Sequence, residues 1–374
     1  MRKALRLARK GFGATSPNPM VGAVLVKNGK IIGRGWHRRA GLLHAEIEAL
    51  HDARKRGHNP TGATLFVTLE PCCTHGRTPP CTDAIIAAGI KKVVAGATDP
   101  NPQHAGKGFA ILQRAKIEVV HGILNGECVK LNEAFNHWIV HRTPFVTVKA
   151  AMTLDGKIAT AGGESKWITG EKARAHGMKL RQGSDAVLVG VNTILADDPS
   201  LTVRRRTADG GTQIKSSRLR RIILDSMART PLNAKIVSDE FAALTTIVVS
   251  KNAPKNRVAA LSKRANVLVA PLAKNSSLVI RHTSLDLRWL LKKLGAENVT
   301  SLLVEGGGEV NASFLLGGFA QRAAFFYAPK ILGGRGARKA VAGAGATGLD
   351  EIIQLHEVEW RKIGPDLLLT ARVG

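Results

Sequence analysis

The chain has 374 residues, 44% hydrophobic and 22% charged, a length that exceeds one ordinary core, suits two, and excludes a disordered or collagen-like protein. The net charge of +27 is spread over both halves with no basic tail, and one tyrosine among 4% aromatics leaves few stacking platforms for bases. Nucleic acid is therefore not the expected partner, and the excess reads as a solvated surface suited to phosphorylated substrates.

The N-terminus, MRKALRLARKGFG, lacks an apolar core and a small-residue cleavage site, so it reads as a first helix and not as a signal peptide. Apolar runs at 21–27 and 30–36, joined by Asn28-Gly29, predict a β-hairpin. A helix fits 44–56, ending before Gly57, and the β-branched run 64–69 reads as a buried strand. Pro80-Cys81 opens a further helix that Gly89 stops. Strand 92–97, helix 108–115, strand 117–121 and a closing helix over 125–141 complete a three-layer α/β domain over residues 1–143.

A boundary falls at His141-Arg142-Thr143-Pro144, and a second domain is expected over 145–374. It opens with a strand at 145–152 and continues with a helix at 170–182 and strands at 186–191, 221–224 and 245–249. The clusters Arg204-Arg205-Arg206 and Arg218 with Arg220-Arg221 flank TADGGTQIKSS, which reads as a surface loop between strands. Late in the chain, strand 301–305 runs through Gly306-Gly307-Gly308 into an apolar helix at 310–316. Strand–GGG–helix is either a phosphate cradle or a structural turn. It is not the G-x-G-x-x-G fingerprint. No apolar run approaches the ~18 residues of a membrane span, so a cytoplasmic enzyme is expected.

Four cysteines, three of them at Cys72, Cys73 and Cys81, are too few and too bunched for a disulfide framework and point to a metal in a reducing compartment. Upstream stand His44 and Glu46. One imidazole, two thiols and a carboxylate outside the ligand set are the parts of a zinc deaminase. His44 is expected to open a helix, with Cys72 and Cys81 near helix N-termini, where thiolate is favoured. The ligand set is then His44, Cys72 and Cys81, leaving one open position, with Glu46 as proton shuttle. Eight residues separate Cys72 from Cys81, against two in the commonest deaminase signature. Cys73 is an alternative ligand, but Pro71 directly before Cys72 favours the latter. Cys128 reads as a core residue.

Ser16-Pro17-Asn18-Pro19-Met20-Val21-Gly22, the His44-Ala45-Glu46 segment, TLEPCCTHGRTPPC and Asp99-Pro100-Asn101-Pro102 together resemble the bifunctional riboflavin biosynthesis deaminase–reductases. The resemblance continues through KAAMTLDGKIAT, Gly163 to Thr169, LADDPSLTVR and LLVEGGGEVNASF, and so covers nearly the whole chain. It implies a cytidine-deaminase-like first domain that removes an amino group from a diamino-pyrimidinone ribosylamine 5′-phosphate. It also implies a dihydrofolate-reductase-like second domain that uses NADPH to reduce the opened sugar to a ribityl chain. Carried over by motif, Zn2+ is held by His44, Cys72 and Cys81. Asn18, His37 and Arg77 contact the first substrate.

Ala151, Trp167, Thr193, Asp197, Gly307, Gly308, Glu309, Val310, Asn311, Ala312 and Ser313 fall at NADPH positions by the same carry-over. Ser165, Arg181, Leu201, Arg204 and Glu305 fall at reductase substrate positions. Without the family, His37 reads as a strand-end histidine, Arg77 as a solvated loop charge, Trp167 as core, and Asp197-Asp198 as a turn with Pro199. Asp197, Lys149 and Lys157 are candidate proton relays. Leu42 departs from the family, where an acidic residue often precedes the zinc histidine. The fold class leaves a homo-oligomer open. A different class of function, a polynucleotide deaminase with a C-terminal RNA-binding domain, is favoured by the charge and opposed by the second-half motifs.

Overall fold

The computed structural model describes residues 1–75, 79–206, 212–214, 218–273 and 285–374, with the backbone alone at 205–206 and 212–214. The chain divides into two compact units, Met1–Thr143 and Pro144–Gly374.

The first unit runs α1 (Arg2–Ala8), β1 (Gly22–Lys27), β2 (Lys30–Trp36), α2 (Ala45–Lys55), β3 (Thr64–Leu69), α3 (Cys81–Ala87) and β4 (Lys92–Ala97). It continues with α4 (Lys107–Arg114), β5 (Glu118–Val120), α5 (Asn125–Leu131) and α6 (Glu133–His141). The sheet order is β2-β1-β3-β4-β5, antiparallel up to β3 and parallel beyond it. Asn28 and Gly29 both take positive φ, as a two-residue hairpin turn demands. Leu25, Leu65, Val67 and Val93 of the sheet form one core with Leu50, Ile85 and Leu112 of the helices.

Strand β2 receives α2 at unusually close range. A Cβ added to Gly33 would collide with the Ala49 carbonyl oxygen, and one on Gly35 with that of Ala45. The missing side chains let the first turn of α2 rest on the strand backbone.

The expected closing helix is two helices, broken at Asn132. That buried side chain accepts from Met20 N at 2.8 Å and donates to Met20 O at 2.9 Å. A partner 112 residues away outweighs helix continuity there, because an asparagine side chain offers the backbone an alternative to the helical ladder.

The second unit begins with β6 (Phe145–Thr153), β7 (Lys157–Ala159), α7 (Glu171–Gln182), β8 (Ala186–Gly190), α8 (Val191–Asp197), β9 (Arg204–Arg206), β10 (Thr212–Ile214) and β11 (Arg220–Leu224). Then come α9 (Lys235–Ser238), β12 (Thr245–Ser250), α10 (Lys255–Ser262), β13 (Asn266–Ala270), α11 (Leu287–Ala296), β14 (Ser301–Val304) and α12 (Gly308–Leu316). It ends with β15 (Arg322–Ala328), β16 (Arg338–Lys339), β17 (Leu355–Ile363) and β18 (Asp366–Val373).

Nine strands form a sheet of order β13-β12-β11-β8-β14-β6-β15-β18-β17. It is parallel from β13 to β15 and antiparallel at β18 and β17. Every residue of β8 is buried, as a parallel strand covered on both faces requires. One face packs against Leu290, Leu294 and Phe314, and the other against Ile194, Ile236 and Leu261.

Arg221 is an exception to the reading of the charge excess as a solvated surface. It is 1% exposed and donates to both Asp239 oxygens at 2.6 and 2.8 Å, to Thr245 Oγ1, and to the Ser200 and Ile236 carbonyls. Placed at the start of a covered strand, its cation is retained by a full set of acceptors.

Candidate active sites

In the first unit, His44 is the N-cap of α2 with extended backbone, so its ring stands at the helix mouth while Glu46 occupies the first turn. Cys81 is the first residue of α3. Cys72 opens no helix itself but lies near one, as expected. Its Sγ accepts the Cys81 backbone N–H at 3.4 Å, which brings it to the N-terminus of α3 through space.

The ligand atoms of His44, Cys72 and Cys81 lie within 4.8 Å of one another. His44 Nδ1 is 3.3 Å from Cys81 Sγ and 3.4 Å from Cys72 Sγ. Tetrahedral zinc with bonds of about 2.3 Å to sulfur and about 2.05 Å to nitrogen sets those atoms about 3.5 Å apart, so this donor set fits zinc. Cys73 Sγ lies instead 3.7 Å from His104 Nδ1, outside the cluster.

The electrostatics agree with a cation site. The Cys81 S–H bond to Cys72 draws the Cys72 thiol down to about 4, against the opposing effect of burial. That same hydrogen bond, with burial, pushes Cys81 up. A thiol and a thiolate sharing one proton at this distance mark a place where a cation can take that proton's position. Glu46 is 3% exposed, and burial, with the Cys72 charge, raises its carboxyl to about 7.

Asn18 and His37 sit beside this centre. The His37 and His44 rings meet edge to face at 5.3 Å. His37 Nδ1 lies 3.0 Å from the Leu43 carbonyl, which can only accept, so Nδ1 carries the proton and Nε2 accepts from Asn18 Nδ2 at 3.1 Å. Burial lowers the His37 pKa and keeps the ring neutral. Arg77 lies outside the described residues. Glu70 had no role in the sequence reading. Buried at 3% exposure, its carboxylate accepts backbone N–H bonds from Asp99, Gly106, Gly108 and Phe109. It ties the Asp99-Pro100-Asn101-Pro102 loop to the strand end that carries Cys72.

In the second unit, two cavities open beyond the carboxyl ends of the parallel strands, where open α/β sheets bind ligands. The smaller, about 440 Å³, is lined by Lys149, Ala151, Ser165, Trp167, Arg181, Leu201, Arg204, Glu305 and Asn311, among others. The larger, about 940 Å³, is lined by Gly308, Glu309 and Val310 and by a set that sequence reasoning missed: Asn192, Ser226, Met227, Arg229, Arg338 and Lys339. Ile158, Ser165, Thr193, Asp197 and Gly307 line both.

Ala312 and Ser313 line neither. They are buried within α12, where Ser313 Oγ donates to Glu309 O. Lys149 lines the smaller cavity and Lys157 lines neither. Trp167 is 65% exposed on the cavity wall, with the Arg174 guanidinium 4.5 Å from its ring centroid, so it is not core.

Glu305 anchors the smaller cavity. Arg181 donates to it bidentately at 2.7 and 3.1 Å and also reaches the Thr202 carbonyl at 3.1 Å, while Lys149 stands 3.7 Å away. Burial raises the Glu305 pKa, but the Arg181 and Lys149 charges outweigh it and hold the carboxyl at about 2. Ser165 Oγ donates to Asp197 at 2.8 Å on the shared wall.

The linings also fit a nucleotide, with one acceptor beside each cavity: Asn311 in the smaller and Glu309 in the larger. The buried Oδ1 of Asn311 and Oε2 of Glu309 have no hydrogen-bond partner among the described residues, so both await a donor such as a carboxamide or a ribose hydroxyl. A Cβ on Gly308 would collide with the Lys339 carbonyl oxygen, so only glycine lets the start of α12 approach β16 this closely.

A zinc deaminase followed by a reductase-type α/β domain is the class that these folds and sites define. Residues 1–97 match the cytidine and deoxycytidylate deaminase zinc-binding region, and residues 144–369 match the RibD C-terminal domain. The riboflavin biosynthesis protein RibD of Actinobacillus pleuropneumoniae is 42% identical over 369 residues, covering 99% of this chain and 93% of that protein. That of Escherichia coli K12 is 40% identical over 376 residues, covering 99% and 97%.

Among solved structures, Acinetobacter baumannii RibD superposes with a TM-score of 0.84 at 34% identity, covering 100% of this chain and 97% of that one. A Thermotoga maritima structure, described as a diaminohydroxyphosphoribosylaminopyrimidine deaminase/5-amino-6-(5-phosphoribosylamino)uracil reductase, superposes at 0.82 with 36% identity and the same coverage. The chain belongs to the RibD family of bifunctional riboflavin biosynthesis deaminase–reductases. The RNA-binding alternative for the second half is thereby overturned, since a reductase domain occupies it. Among the described residues, no helix is long and apolar enough to cross a membrane.

Proposed function

We propose that the first unit hydrolyses the amino group of diaminohydroxyphosphoribosylaminopyrimidine and that the second reduces the ribosyl chain of the resulting uracil derivative with NADPH. The observation that carries this reading is the convergence of His44, Cys72 and Cys81 within 4.8 Å beside the buried carboxylate of Glu46. Zinc held there by His44, Cys72 and Cys81 would supply the Lewis acidity that makes water a nucleophile at neutral pH. Glu46 accepts the water proton at a carboxylate oxygen and delivers it to the departing amine, so that the carbon loses ammonia and gains a carbonyl. Glu46, buried in the first turn of the helix that His44 caps, is placed to take and give a proton in one cycle. The neutral His37, with both ring nitrogens engaged by Leu43 and Asn18, holds the Asn18 amide in place beside the metal ligands, where the amide meets the pyrimidine.

In the second unit a bound NADPH would supply two electrons and a proton as hydride. Arg181 and Lys149, held by Glu305, present positive charge to the substrate in the smaller cavity, and Arg204 adds to it. The substrate-bearing loop around Leu201 is clamped at the Ser200 carbonyl by Arg221 and at the Thr202 carbonyl by Arg181. Such fixing of both partners in contact is what hydride transfer requires.

The test is incubation of the purified chain with the diamino substrate, with and without NADPH. Ammonia release with the deaminated compound accumulating when NADPH is withheld, and ribityl product when it is supplied, is the expected outcome. Reduction without prior ammonia release would refute the order.

A further inference from the structure

We infer that Asn132 is a positioning residue for deamination: from the break between α5 and α6 it holds the backbone of Met20, and through Met20 it sets the Asn18 amide that meets the pyrimidine. This rests on the deaminase reading above and concerns a residue to which neither the motifs nor the family resemblance gave a role.

The stretch that carries Asn18 has little of its own to hold it. Residues 12–21, ahead of β1, form neither helix nor strand. Pro17 and Pro19 have no N–H, so this run offers donors only at alternate residues and builds no regular ladder. The Asn18 N–H closes a turn onto the Thr15 carbonyl at 2.9 Å, and the next fixed point downstream is the Val21 carbonyl, which accepts from His37 N at 2.9 Å. Between these two the anchor is Met20, and both of its backbone groups go to one side chain. Asn132 Oδ1 accepts from Met20 N at 2.8 Å, and Asn132 Nδ2 donates to Met20 O at 2.9 Å.

What Asn132 gives up for this grip shows which bond matters. It is the N-cap of α6, and its carbonyl accepts from Asn136 N at 2.8 Å. An asparagine in that place ordinarily turns its side chain onto the first N–H groups of its own helix, yet no such bond is made. The helix starts without a side-chain cap. The buried amide is turned instead to a partner 112 residues upstream.

From Met20 to Asn18 the link is one stiff residue. Pro19 fixes its own φ near about −65° and disfavours helical backbone for Asn18 before it. Two bonds on Met20 therefore decide where the Asn18 side chain emerges. That side chain donates from Nδ2 to His37 Nε2 at 3.1 Å, which leaves Oδ1 as the acceptor for an N–H of the substrate ring. The Asn132 bonds run to Met20 and to its own two helices, so it acts through Asn18 and not on the reacting atoms.

The test is Asn132→Ser in the full chain, because serine caps α6 well but is too short to span to Met20. Deamination of the diamino substrate is expected to show KM raised about 3- to 10-fold with kcat within about twofold, as for a lost hydrogen bond made equally in ground and transition states. Zinc content stays at the wild-type level, and reduction of supplied deaminated compound stays within about twofold. Asn18→Ala raises KM by a similar factor, and combining it with Asn132→Ser adds nothing further, because both act through one amide. An unchanged KM in Asn132→Ser, an additive double variant, or zinc loss with a fallen kcat overturns the assignment. Asn132→Thr takes the place of the serine variant if that chain is insoluble, with the same expected values, since threonine also caps and is equally short. Ammonia release by the wild type, alongside an unchanged KM in the variant, sinks Asn132 and spares the deaminase. No release by the wild type sinks the deaminase reading itself.

Discussion

The two sites are built on opposite plans. The deaminase centre gathers its working atoms into one small, partly buried cluster at a helix start and a strand end. The candidate reductase site is a pair of open cavities in which one ion-paired carboxylate, Glu305, holds cations in place and buried acceptors have no partner among the described residues. A metal centre must be complete before its substrate arrives, because ligand geometry sets the chemistry. A hydride-transfer site needs only to hold two ligands together, and its protein groups act through position and charge.

The sharpest way to break this contrast is Cys81→Ser, which takes a ligand from the compact centre. Zinc content by atomic absorption should fall close to zero and deamination by at least about 10³-fold, while NADPH-dependent reduction of supplied deaminated compound stays within about twofold. Next comes Glu46→Gln, expected to retain one zinc per chain and lose about 10²- to 10⁴-fold in deamination rate. Zinc loss in that variant would mean that the carboxylate has a structural role.

On the open side, Glu305→Gln leaves Arg181 and Lys149 without their counter-charge and should cost the second unit about 3–5 kcal/mol in a thermal or urea melt, with zinc retained. Acid should produce a related but graded effect. Because the folded Glu305 pKa is depressed from 4.5 to about 2, its stabilisation is complete above about pH 4.5 and is lost as the pH falls toward 2. Stability of the second unit measured across that window should slope downward in the wild type and more weakly in Glu305→Gln. The smallest effect belongs to Cys73→Ser, which should keep its zinc and deaminate within about twofold of wild type, since its sulfur faces His104.

The compactness of the first site also explains its legibility. His44, Glu46, Cys72 and Cys81 announce themselves by residue type, because few side chains bind zinc and the spacing is local. Asn28-Gly29 and the β-branched run at β3 are local signals too. What escaped depends on distant partners. Asn132 breaks a helix for the sake of Met20, and Arg221 is drawn inside by Asp239, Thr245 and two carbonyls. Glu70 reads as one more acid until the loop at 99–109 folds back over it. Trp167, apolar by composition, stands exposed on a cavity wall. Arg229 follows a strand of ordinary composition, and only the sheet order brings its loop beside the glycine run. In the reductase half the motifs mark where ligands go, but which side chains meet there is decided by the order of strands, and no short window of residues carries that order.

Glycines 33 and 35 have a practical corollary for protein engineers. His44 and Glu46 ride on a helix whose seat is shaped by two absent side chains, and a helix transplanted alone would stand off from any ordinary strand by the width of a methyl group. Moving this centre to another scaffold therefore means carrying the bare strand along with the residues that do the chemistry.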